Sequence, residues 1–269
     1  MRDNTRRNRN IGTAKQGYGQ NNKMKIAEPL FASDCRWFPE RLEKYRKETR
    51  VINDHEFIFV VEDTIKGYYH ACSVDDIAEM IGHIPVEDYG EMKYIILRQP
   101  KRKEALLSPV WGRLIYSYEF EGNYFPAIIL EAAEEGFLLE FSRKLSVGNV
   151  KEIERLKKDG YQFVEDRKFY QAQVFPENVR STLLYRTLLH EFGHYRQYLS
   201  VVEDPGHEDE EFEEWEKRRD YYHDSILSSE KEKFAHSYAD KLRKKLENEG
   251  IIPLEKKGKI NYDLENNTK

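Results

Sequence analysis

Five consecutive residues, His190-Glu191-Phe192-Gly193-His194, carry the sharpest chemical signal in the 269-residue chain. Four residues make about one helical turn, so on a helix His190 and His194 project from one face and both rings can meet one metal ion. Glu191 is offset by roughly 100 degrees, near enough to reach a water on that ion without ligating it. Two imidazoles holding zinc, beside a carboxylate that takes a proton from water, are the parts of metal-assisted hydrolysis. The plain alternative is two histidines on a partly exposed helix face with no ion between them. Gly193 weakens a helix by about 1 kcal/mol relative to alanine, so its position predicts a close neighbour.

Catalytic zinc keeps three protein ligands and one water position, so a third donor is required. The segment Glu232-Lys233-Phe234-Ala235-His236-Ser237-Tyr238-Ala239 offers two. Glu232, Ala235, His236 and Ala239 fall on one broad helical face, where the alanines let two backbones approach and the glutamate supplies an oxygen. Glu232 is preferred as the third ligand. His236, one turn later, competes for that place or else orients a ligand from behind. An oxyanion formed during hydrolysis needs a stabiliser besides the ion, and His223 and Tyr238 are the candidates, with Tyr221 and Tyr222 beside them. A strand near residues 170–174 is expected to offer a free edge to an extended peptide.

These two segments together resemble the zincin metallopeptidases of the gluzincin type, and among them the small cytoplasmic ImmA/IrrE-like proteases, over about residues 180–240. The resemblance implies a zincin-like fold, with the His190–His194 helix and the Glu232 helix packed on a small, mostly antiparallel sheet. It also implies His190, His194 and Glu232 as zinc ligands, Glu191 as general base and acid, and a zinc-dependent peptidase acting on a peptide or protein substrate. The chain departs from the pattern at His236, where the family often has Asp or Asn after the alanine. Ser200 stands where a metzincin would have its third histidine. Two other classes remain beside the peptidase. One is a non-catalytic zinc-binding regulatory or toxin-like protein; the other is a binding module that uses the N-terminal sheet and a basic arm.

The elements around these residues read as α+β. Residues 57–61, 94–97, 113–120, 124–130 and 137–141 are β-favouring runs, and Glu121-Gly122-Asn123 makes a hairpin turn. Leu114, Tyr116 and Tyr118 are expected on one face of an antiparallel sheet. Ser73 caps a short helix that ends near Gly82, and Asp75, Asp76 and Glu79 charge it. Arg41 to Arg50 is expected as an early helix. Further on the period changes: Asn149 is expected to cap a helix ending at Gly160. A strand or two lies within 161–174. A helix over about 178–199 buries Leu184, Leu188, Phe192, Tyr195 and Leu199, and a last one runs over about 229–249 with Phe234, Tyr238, Leu242 and Leu246 on its stripe.

Composition bounds the class. The chain is 39% apolar and 35% charged, with net charge -5, and no apolar run approaches a membrane span, so no membrane partner is expected. Cys35 and Cys72 make no disulfide framework, and the expected location is the cytoplasm. Residues 1–25 hold Arg2, Arg6, Arg7, Arg9, Lys15, Lys23 and Lys25 against Asp3 alone. They read as a disordered basic arm, with nucleic acid a subsidiary partner. Residues 26–145 read as a mostly β region, 146–250 as the metal-binding region and 251–269 as a flexible tail. Glu203 to Asp220 carries ten acids against three basic residues and reads as a solvated connection with a short helix at Phe212 and Trp215. Arg98, Lys101, Arg102 and Lys103 read as a solvated basic turn. The chain has no GxxxxGK loop, no GxGxxG after a strand and no GxSxG elbow, and His70 near Cys72 does not make a thiol enzyme.

Overall fold

The computed structural model describes residues 38–101, 110–207 and 209–257. The basic arm, Cys35, Arg102, Lys103 and the tail from 258 onward lie outside them. The chain divides into two compact units, one of residues 1–42 and 100–110, the other of residues 43–99 and 111–269. In the first, the described residues form a single 3-10 turn, Phe38–Glu40. Everything below concerns the second.

Strand β1 (Tyr45–Ile52) pairs antiparallel with β2 (His55–Glu62), in register from Tyr45 opposite Glu62 to Ile52 opposite His55. The expected helix over Arg41 to Arg50 is thus a strand. Its charged side chains lie on the exposed sheet edge, and the turn that fixes the pairing is Asn53-Asp54, both left-handed at φ 50 and 65 degrees. Two positive-φ residues between paired strands match the strands' twist, and Asn and Asp tolerate that backbone best after glycine.

After a two-residue strand β3 (Tyr68–Tyr69) comes helix α1 (Val74–Gly82). Ser73 and Asp76 close a capping box there, each side chain accepting from the other's backbone N–H at 3.0 Å. The chain continues through β4 (Tyr94–Arg98), β5 (Gly112–Phe120) and β6 (Asn123–Glu131). These complete a five-stranded sheet in the order β1-β2-β4-β6-β5. The α1 crossover returns β4 parallel to β2, and β6 inserts parallel to β4, leaving β5 as an antiparallel edge. The protein is α+β as expected, but the small, mostly antiparallel zincin-like sheet is corrected to a mixed, open one with a parallel centre. Antiparallel neighbours need only a hairpin, whereas parallel ones need such a crossover.

One sheet face, with Phe57, Phe59, Val61, Ile95, Leu97, Ile128 and Leu130, joins the helices in a common core. The other face buries Val60, Tyr94, Ile96 and Ile129. A bulge divides β5 between them: Ile115 pairs with Ala127 but Tyr118 with Phe125, so β5 takes one more residue than β6. Tyr116 therefore meets Tyr198 and Tyr222, whereas Tyr118 meets Tyr94. The expected common face of Tyr116 and Tyr118 is lost for that reason.

Beyond β7 (Ala133–Glu134), the strands β8 (Leu138–Ser142), β9 (Val164–Glu165) and β10 (Phe169–Gln173) form a small sheet with β10 in the middle. Tyr170 and Gln171 hence have partners on both sides, whereas Ala172 and Gln173 pair with β8 alone, so the expected free edge is confined to the end of the strand. Helix α2 (Val147–Lys158) is capped by the Ser146 hydroxyl, which accepts from Asn149 N–H, so the cap lies three residues before the expected one. Helix α3 (Pro176–Thr182) runs through a π-helical stretch (Leu183–Leu188) into α4 (Leu189–Tyr198) and a second π stretch (Leu199–Glu203). The five apolar residues expected on this rod are buried. Helix α5 (Phe212–Asp220) leads through π-helical Tyr221–Ser225 to α6 (Ser228–Asn248). Its buried stripe is Ala235, Ala239, Leu242 and Leu246, with Phe234 turned outward. Among the described residues no helix is long and apolar enough to cross a membrane.

Candidate metal centre

Helices α4 and α6 cross at Gly193. A Cβ there would lie 2.9 Å from both the Cα and the carbonyl oxygen of Ala235, and 3.1 Å from Tyr238 Cβ. The close neighbour predicted from Gly193 is thus α6, and buried Ala235 and Ala239 supply the small surface it needs. This contact brings the imidazoles of α4 against the acid and imidazole of α6.

His190, Glu232 and His236 each place one ligand atom within 4.8 Å of the others, a group that could hold a metal ion. His190 Nε2 lies 3.4 Å from Glu232 Oε2, and His236 Nε2 lies 3.8 Å from the same oxygen. The His190 and His236 rings are 4.3 Å apart between centroids. His194 stands at the margin of the group, its Nε2 3.0 Å from His190 Nε2 and 3.4 Å from Glu232 Oε1. The two histidines of α4 hold the Glu232 carboxyl well below the usual carboxylate range. Burial, with the nearby His190, pushes His236 down to about 4, so its ring is neutral at physiological pH and can act as a ligand.

This group draws one donor from α4 and two from α6. It is not the His190, His194 and Glu232 set of the gluzincins, and several expectations are corrected with it. The resemblance to gluzincin zincins and ImmA/IrrE-like proteases, the zincin-like helix pair, and the zinc peptidase (a hydrolase) with Glu191 as general base do not stand. A catalytic zinc keeps one position for water. Here His236, which that scheme keeps off the ion, belongs to the group that would surround it.

Of the remaining expected residues, Glu191 and His223 share one cleft and Tyr238 lies outside its lining. Glu191 is buried and lines a cleft of about 470 Å³ beside the group. Burial raises its carboxyl above the ordinary value, partly offset by His190 and His194, and it accepts a hydrogen bond from the Leu114 backbone N–H. His223 lines the same cleft and meets the Tyr116 ring edge-on at 5.3 Å. Tyr222 is buried, its hydroxyl 2.9 Å from that of Tyr116, while Tyr221 is exposed. Tyr238 points away from the cleft and donates to Asp88 Oδ2 at 2.6 Å, where Arg196 also pairs. Its hydroxyl holds α6 to the turn at Val86–Asp88.

Sequence reasoning missed the rest of the cleft lining, which includes Arg113, Leu114 and Tyr116 of β5 and Ser228 and Lys231 of α6. The one signal for Ser228 was its place one turn before Glu232, and for Lys231 its place three residues after Ser228. None pointed to β5, which reaches the cleft because it is the sheet edge. No family model, no curated protein and no solved structure matches the chain.

Proposed function

We propose that the protein is a non-catalytic zinc-binding regulatory protein of the cytoplasm. The ion is held by His190, Glu232 and His236, with His194 as the fourth donor, and it fastens α4 to α6. The observation that carries this reading is the membership of His236 in the group. Bonds of about 2.05 Å to a tetrahedral ion place neighbouring donors about 3.3 Å apart. With Oε2 as the carboxylate donor, its separations of 3.4 Å from His190 and 3.8 Å from His236, and the 3.0 Å between His190 and His194, scatter about that value, while His194 faces Oε1 at 3.4 Å. Three nitrogens and one oxygen from the protein fill all four positions, and such closed sites are structural. Imidazole and carboxylate donors suit zinc among the divalent ions of the cell. The cytoplasm fits the free, buried thiol of Cys72. As a regulator, the protein acts through a protein partner and not on a substrate.

The test is zinc content by elemental analysis, with melting temperature, for wild type and for His236→Ala and Glu232→Ala. Wild type should carry about one zinc per chain. At a hundredfold excess of free zinc over Kd the ion should add about 2.7 kcal/mol of stability. Both variants should lose the zinc and the added stability. Full zinc retention by His236→Ala, or no uptake by wild type refilled with zinc, would overturn the reading.

A further inference from the structure

The cleft beside the metal centre has the volume of a small-molecule site, about 470 Å³. Leu114 and Tyr116 of β5 line it together with Lys231, His223 and Ser228. Lys231 Nζ donates to the His223 carbonyl oxygen at 3.2 Å and stands 4.6 Å from the centroid of the Tyr222 ring. Among the described residues no carboxylate forms an ion pair with it. An ammonium has three N–H donors, so a single carbonyl leaves it able to bind an anion. The cleft's own acids are engaged elsewhere: Glu232 faces His190 and His194, and Glu191 accepts from Leu114 N–H. Ser228, three residues before Lys231 and hence on the same helical face, adds a hydroxyl donor.

We propose that this cleft binds an organic carboxylate, with Lys231 and Ser228 on the anionic head and Leu114 and Tyr116 against the apolar body. A cation beside an aliphatic and aromatic wall fits an acid with a hydrophobic substituent better than a bare inorganic anion. The site goes beyond zinc binding and stands on Lys231 and β5, not on the ion.

The experiment is isothermal titration of the full chain, zinc-loaded and chelator-treated, with hippurate as the probe and hippuramide as its neutral counterpart. An acetylated tripeptide ending in phenylalanine, as free acid and as amide, separates a small free acid from a peptide C-terminus. Hippurate or the tripeptide acid should bind both protein forms, and the matching amide should bind at least about tenfold more weakly, as loss of a charge-assisted hydrogen bond requires. Lys231→Gln should lose about the same factor, while Lys231→Arg keeps the charge and stays within a few-fold. Circular dichroism and zinc content, measured on each variant, keep a folding or metal defect apart from a binding one. Binding without zinc content would sink the metal reading and leave this one intact. Equal affinity for acid and amide, an unchanged Lys231→Gln, binding by the zinc-loaded form alone, or inorganic phosphate bound as tightly as hippurate would each overturn it.

Discussion

Gly193→Ala tests the helix contact on which the metal centre depends. Two effects oppose each other. Alanine favours the helix by about 1 kcal/mol over glycine. The added Cβ meets two backbone atoms of Ala235 at 2.9 Å and Tyr238 Cβ at 3.1 Å. Backbone atoms cannot rotate aside, so α6 must move by about half an ångström to restore ordinary contact, and overpacking of this kind costs about 1–3 kcal/mol. With backbone on two of three contacts we take the upper end, which leaves a net loss of about 2 kcal/mol after the propensity gain. At about 2–4 °C per kcal/mol for a domain of this size, the metal-free protein should melt about 4–8 °C lower. The same movement carries Glu232 and His236 away from His190, so zinc affinity should fall more than stability does. Differential scanning calorimetry of the chelated protein and a competitive zinc titration measure the two. A variant as stable as wild type and equally tight for zinc would refute the close-approach argument.

Two further outcomes follow from buried charges. Burial holds His236 at about 4, below its ordinary 6.5, so between those values the unfolded chain takes up a proton that the folded chain refuses. In metal-free protein this contribution is complete above about pH 6.5 and is lost as the pH falls toward 4. His236→Gln should flatten the fall of the urea midpoint across that range, and an unchanged slope would put the titration elsewhere. Asp159 is buried and accepts from Thr182 Oγ1 at 3.0 Å, Arg186 Nε at 3.0 Å and Arg243 Nη1 at 2.7 Å, tying the end of α2 to α6. Asp159→Asn removes the carboxylate that Arg186 and Arg243 share, leaving each half-buried guanidinium with one acid, Glu152 or Glu247, and should cost about 1.5–3 kcal/mol in urea unfolding; a loss below about 1 kcal/mol would show that solvent or these other acids replace it.

The helices were legible in the sequence because each carries its own period. The apolar set from Leu184 to Leu199 needs only one segment to be recognised, and so does the box at Ser73 and Asp76. The sheet was legible strand by strand but not in its order. Nothing local in Tyr94–Arg98 or Asn123–Glu131 says that they lie side by side and parallel, since their pairing spans the whole of β5. The first strand was misread because Arg46, Lys47, Glu48 and Arg50 suit a solvated helix, and the information lay just beyond it, in the Asn53-Asp54 turn. A bulge in β5 cannot be read from alternation, because it is the place where alternation stops.

The metal centre was half legible for a related reason. Each helix shows an i, i+4 pair of donors, His190 and His194 on α4, Glu232 and His236 on α6, and spacing alone establishes both. Spacing along a helix does not say how far away the other helix stands, and that distance decides how many of the four donors share a point. Gly193 lies next to His194 in the chain and Ala235 next to His236, so the contact that sets the distance is built into the pairs themselves. With α4 and α6 this close, His236 enters the group beside His190 and Glu232. A wider crossing would withdraw Glu232 and His236 together, because they ride on one helix. The coordination of the ion is thus a property of helix packing, and the residues that determine it are the two smallest at the crossing.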